Sequence, residues 1–144
     1  MTARCIITSE VDSSKLRAEL AYLVTYFQSH AQASCRVLFG FAWGNEYYAG
    51  DWIEEEIPLS SLIGKIQSVE ESGFGRLGRN DLFIKVSGME FRFCHESDLH
   101  LEFVDATDDV EHFYNRWGEL GYGPSEWLKE AKSAPKIKTR AYGA

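Results

Sequence analysis

The stretch Asp81–Phe103, DLFIKVSGMEFRFCHESDLHLEF, constrains the fold more than any other part of the chain. It reads as three short strands joined by two tight turns. Strand side chains point alternately to opposite faces, so a one-residue slip inverts every residue. Ser87-Gly88 suits a two-residue turn, because Gly takes positive φ without steric cost. Pairing outward from it sets Val86 opposite Met89, Ile84 opposite Phe91 and Leu82 opposite Phe93. The other face then pairs Lys85 with Glu90 and Phe83 with Arg92. For the second turn a two-residue loop mixes the faces, whereas a three-residue loop, Glu96-Ser97-Asp98, keeps them apart. That register sets Leu99, Leu101 and Phe103 beside His95, Phe93 and Phe91, and pairs Arg92 with Glu102 and Cys94 with His100. The expectation is an apolar inner face and an outer face carrying Phe83, Lys85, Glu90, Arg92, Cys94, His100 and Glu102.

The flanking segments supply elements to pack on or extend this meander. Arg4–Thr8 is a short strand candidate. Asp12-Ser13-Ser14 is a helix-start signal, and Leu16, Leu20, Leu23, Val24 and Phe27 then fall on one helical stripe as far as about Ser29. Tyr22 and Tyr26 flank that stripe. Ser34–Trp43 reads as a strand with Cys35, Val37, Phe39 and Phe41 on one face. Gly44-Asn45 is a hairpin signal, and the return strand Glu46–Ile57 sets Phe39 opposite Gly50 and Val37 opposite Trp52. The run Glu54-Glu55-Glu56 belongs at a solvated sheet edge, where charge discourages edge-to-edge association. Pro58 suits the first position of a helix with Leu59, Leu62, Ile63, Ile66 and Val69 as its apolar stripe and Gly73 as terminator. After the meander, Asp108 with Glu111 resembles a capping box ahead of Val110, Phe113, Tyr114, Trp117 and Leu120. Asp108, His112, Arg116 and Glu119 take the solvent side of that helix. Pro124–Ala131 reads as a short last helix docked by Trp127 and Leu128.

The fold class is therefore α+β: a mainly antiparallel sheet of five to six strands with helices on one face. The first six elements follow the β-α-β-β-α-β order of a ferredoxin-like unit. The 144 residues suit one domain, drawn here as residues 1–132, with 133–144 as a basic, disordered tail. No apolar run approaches the roughly 18 residues a membrane span needs. The N-terminus lacks a signal peptide's apolar core, so a cytoplasmic protein with no membrane partner is expected. Three widely spaced cysteines argue against a disulfide scaffold or a zinc ribbon. The net charge is −7, but the last sixteen residues hold five basic residues against one acidic, leaving residues 1–128 at −11. Such a body repels phosphates, which excludes nucleic acid as a partner of the folded domain, and it suits a basic protein partner.

Four patterns bear on chemistry. Gly73–Gly78 fits G-x-G-x-x-G, but it follows a helix and precedes a strand, the reverse of a dinucleotide site; Arg76 and Arg79 on this loop are suited to an anion. Cys94 and His100 are the candidates for nucleophilic chemistry, yet Glu90, Glu96, Asp98 and Glu102 crowd them and raise a thiol pKa. His95, Asp98, His100 and Glu102 include metal-ligand types, but the register above sends His95 and His100 to opposite faces. The acidic residues are many, with none in a visibly apolar setting of the kind acid/base work needs. No cofactor, metal or catalytic residue is assigned on these grounds.

In size, acidity and α+β make-up, and through the stretches WIEEE (Trp52–Glu56) and DATDDVE (Asp105–Glu111), the chain resembles the immunity proteins of bacterial polymorphic toxin systems. The resemblance implies a binding protein without an active site, whose partner is a basic toxin domain. The residues expected to meet it are Tyr47, Asp51, Glu55, Asp105, Asp108 and Asp109. Two other readings compete: an enzyme or metal-dependent protein using Cys94 and His100, and a subunit that assembles with itself or others through exposed aromatics.

Overall fold

The computed structural model describes residues 3–40 and 54–128. Seven strands and three helices follow in the order β1 (Arg4–Ile7), α1 (Ser13–Ser29), β2 (Ser34–Phe39), β3 (Glu55–Pro58), a 3-10 turn (Leu59–Ser61), α2 (Leu62–Glu71), β4 (Leu82–Val86), β5 (Met89–Phe93), β6 (Leu99–Phe103), α3 (Asp108–Glu119) and β7 (Ser125–Leu128). They form one antiparallel sheet in the order β3-β2-β4-β5-β6-β1-β7. The strand count exceeds the expected five to six. The chain order of the first six elements holds, but β1 lies across the sheet from β2, between β6 and β7.

The first hairpin has the expected register throughout, from Val86–Met89 to Leu82–Phe93. Its turn residues Ser87 (φ 53°) and Gly88 (φ 79°) are both left-handed, the conformation that matches strand twist in a two-residue turn. The second hairpin is shifted. Phe93 opposes Leu99, Phe91 opposes Leu101, Arg92 opposes His100 and Glu90 opposes Glu102. The loop is His95-Glu96-Ser97, closed by the Cys94 N–H donating to Asp98 O at 2.9 Å, with Ser97 at φ 63°. A two-residue shift in pairing preserves the faces, so the inner and outer sets survive while the pairs Arg92–Glu102 and Cys94–His100 do not.

All three helices pack on the inner face, and one core contains Leu16, Leu20, Leu23, Phe27, Ile66, Val69, Phe113 and Trp117 together with Val37, Ile84, Phe91, Phe93 and Leu101. The Phe27, Phe91 and Phe113 rings meet edge-on or stacked at 4.9–5.8 Å. α1 ends at Ser29 and α2 runs into Gly73 at φ 84°, as their sequences require. α3 is capped by Thr107, whose hydroxyl accepts from the Val110 N–H, one residue earlier than the Asp108–Glu111 box. Pro58 ends β3 rather than opening a helix; the 3-10 turn separates it from α2.

Two further segments differ from expectation. β3 pairs so that Val37 opposes Glu55 and Cys35 opposes Ile57, three residues from the register that paired Val37 with Trp52. An odd shift exchanges faces. It turns Glu55 toward α2, where Lys65 Nζ lies 3.2 Å away. β3 is nevertheless an edge strand, where its glutamates were expected. At the opposite edge, Ser125–Leu128 is β7 rather than a helix. β1 offers a free edge of backbone donors and acceptors there, and pairing satisfies them. Trp127 consequently does not dock; it is 58% exposed on the outer side. Among the described residues no helix is long and apolar enough to cross a membrane.

Candidate functional site

Of the six residues expected to meet a partner, four lie among the described residues, and three of those four stand together. Tyr47 and Asp51 lie outside the described residues, as do the hairpin at Gly44-Asn45 and the tail 133–144. Glu55 is half-buried and paired with Lys65. Asp105, Asp108 and Asp109 stand together where the chain leaves β6 and enters α3, joined there by Glu111. Carboxylates are favoured in a helix's first turn because they face the unsatisfied N–H groups and the positive end of the helix dipole. Among the described residues none of these four makes an ion pair. By contrast Arg4, Arg17, Arg36, Lys65, Lys85 and Arg116 are each paired with a glutamate elsewhere. The acidic end of α3 thus gathers four carboxylates that no basic side chain pairs among the described residues. Tyr114, one turn along from Glu111, is 40% exposed.

Beneath this end, rings from α1 and α3 interleave. Tyr26 stacks between His30 (4.1 Å) and His112 (4.5 Å), and the Arg116 guanidinium lies 3.4 Å from the Tyr22 ring centre. The Tyr26 hydroxyl donates to Asp109 Oδ1 at 2.6 Å, and the Tyr22 hydroxyl is 2.6 Å from His112 Nε2. Burial and Asp109 together push the Tyr26 hydroxyl far above its ordinary range, so it remains a donor. His112 and Arg116, expected on the solvent side, are half-buried in this stack. Arg116 also forms a forked pair with Glu19, and Trp117 Nε1 donates to the same carboxylate at 3.1 Å. Glu19 is 2% exposed. It is the carboxylate in an apolar setting that the sequence reading missed, although its place among Leu16, Leu20 and Leu23 at helical spacing marks it.

The Cys94 corner lies at the other end of the sheet. Cys94 is 4% exposed. The His95 N–H donates to Asp81 Oδ1 at 2.7 Å, and its ring Nδ1 is 2.8 Å from the same oxygen and 3.7 Å from Cys94 Sγ. His100 Nε2 is 3.0 Å from Asp98 Oδ2. Cys94 and His100 are not cross-strand partners, yet a ligand atom of each falls with one of Asp98 in a group within 4.8 Å; Asp81, Cys94 and His95 form a second such group. Because His95 sits in the turn rather than on the inner face, both histidines flank the sulfur, contrary to the opposite-face expectation. Burial pushes the Cys94 thiol up to about 11, with Asp98 and Asp81 adding to it. Such a thiol is protonated at neutral pH and is a poor nucleophile. Burial depresses the His100 pKa despite Asp98, whereas the bond to Asp81 raises that of His95.

Arg76 and Arg79 line a cavity of about 700 Å³ with Arg17, His95, Glu10 and Glu96. Arg17 is turned to Glu70, with Nη2 2.6 Å from Oε2. The mixed charge leaves no concentrated anion site. No protein-family model, curated protein or solved structure matches this chain.

Proposed function

We propose that the protein is an acidic binding module that captures a basic protein partner through the α3 end of the molecule. The observation that carries this reading is the group Asp105, Asp108, Asp109 and Glu111, without ion pairs among the described residues, beside the exposed Tyr114 ring. Unscreened like charges around an aromatic anchor suit an interface in which charge steers encounter and the ring supplies buried area. Burial, which leaves Cys94 4% exposed and raises its thiol pKa, disfavours a nucleophilic thiolate there. Following the immunity-protein resemblance, the partner is a toxin domain with a basic groove, which this surface would occlude.

The test is capture by the purified chain at low and high salt, beside the triple variant D105K/D108K/E111K. The expected result is a basic protein retained at low salt, weakened at high salt and lost from the variant. Retention unchanged by the charge reversal would refute the reading. Asp109 is left intact because it holds Tyr26.

A further inference from the structure

We propose that Cys94, Asp98 and His100 form a binding site for one zinc-type divalent ion, with solvent in the fourth position. The three side chains come from one hairpin. Cys94 follows β5, Asp98 precedes β6, and the backbone bond between them holds the two ends of the loop together. His100 then points from the outer face of β6 toward both. Their ligand atoms lie within 4.8 Å of one another.

The dimensions suit a tetrahedral ion. Bonds of about 2.3 Å to sulfur and about 2.0 Å to nitrogen or oxygen place a sulfur ~3.5 Å, and an oxygen ~3.3 Å, from a neighbouring nitrogen. The His100 Nε2 to Asp98 Oδ2 distance is 3.0 Å. Asp98 supplies a second observation: among the described residues its buried Oδ1 has no partner within hydrogen-bond geometry, and its carboxylate lies close enough to the Cys94 thiol to act on it. Buried carboxylate oxygens are nearly always satisfied, and an ion between Asp98, the sulfur and the imidazole would satisfy this one. Sulfur with imidazole disfavours calcium and magnesium, which take oxygen ligands, and selects zinc. As the metal–sulfur bond forms, the thiol proton leaves to solvent. His95, turned to Asp81 on the other side of the sulfur, stays outside the ligand set.

The test is zinc binding by the reduced full chain, measured by competition with a chromophoric chelator, with cobalt as a spectroscopic substitute. One ion per chain is expected, with a thiolate-to-cobalt charge-transfer band. C94S should abolish the band, and H100A and D98N should weaken binding by more than the roughly 10- to 100-fold that loss of even an outer-shell partner costs. H95A and C35S should bind as the parent does. Should a variant fail to fold, the parent supplies the decisive readout: zinc should slow alkylation of Cys94 and leave Cys35 unaffected. No stoichiometric binding, a band that survives C94S, or equal loss in H95A would overturn the assignment. None of these outcomes bears on the acidic end of α3.

Discussion

Removing the Arg116 guanidinium should destabilise the fold out of proportion to its surface position. Glu19 is 2% exposed and receives Arg116 Nε at 2.9 Å, Arg116 Nη2 at 3.2 Å and Trp117 Nε1 at 3.1 Å. R116A leaves that carboxylate buried with one neutral donor. Breaking a buried ion pair by deleting one partner costs about 3–5 kcal/mol. The Arg116 side chain is 25% exposed, so water partly replaces it, and about 2–3 kcal/mol is the working figure. E19Q keeps the shape but sets an amide N–H against donors, costing about 1–2 kcal/mol. The double variant E19L/R116L removes both charges, and its loss should fall short of the summed single losses (E19L, R116L) by at least about 1 kcal/mol. Urea unfolding with a common slope for all variants measures this directly. Single-variant losses under about 0.5 kcal/mol, the size of an ordinary surface substitution, or strict additivity in the double variant, would refute the picture of a coupled buried pair tying α1 to α3.

Two further outcomes follow from local geometry. Glu70 is held below its ordinary value of 4.5, since burial raises its pKa but Arg17 and the Leu77 N–H outweigh burial. A depressed carboxyl contributes stability that is present above about 4.5 and lost as pH falls through the folded-state value. E70Q should therefore flatten unfolding free energy against pH below 4.5 while lowering it at pH 7; an unchanged acid slope would count against the pair. At the first hairpin turn, S87N should raise stability by roughly 0.5 kcal/mol, because Asn tolerates the left-handed conformation that Ser87 adopts at φ 53°, and thermal unfolding that shows a loss would contradict that turn assignment.

What could be read in the sequence was what repetition enforces. The alternation in Leu82–Phe93 fixed a register because each slip by one would expose three apolar side chains. The α1 and α2 stripes were legible for the same reason: Leu16, Leu20, Leu23 and Phe27, or Leu62, Ile66 and Val69, have one common face at helical spacing and no other. The second turn lay beyond that logic. Registers pairing Phe93 with Leu99 or with Leu101 bury the same residues, so burial cannot choose between them; the left-handed Ser97 and the Cys94–Asp98 backbone bond do. The glutamate run before Ile57 has no alternation to anchor it, which is how β3 slipped by three. β7 has only four residues, too few to declare a period, and depends on the open edge of β1. Glu19 was obscured by its own chemistry, since a carboxylate on an apolar stripe makes sense only once Arg116 and Trp117 face it.

The length of β6 keeps the two candidate sites separate. Asp98 immediately precedes β6 and Asp105 lies two residues past its end. Five strand residues at about 3.3 Å each hold them some 16 Å apart, beyond the ~8–10 Å over which exposed charges act on one another in physiological salt. The Cys94 corner can therefore change charge without altering the field at the first turn of α3. In the register expected from sequence, Cys94 faced His100 directly and the loop began at Glu96, which would have placed His95 on the inner face and Asp98 inside the loop. Moving the loop by one residue releases His95 into the turn and brings Asp98 to the sulfur. One backbone hydrogen bond at the base of a three-residue loop thus sets Asp98 beside Cys94.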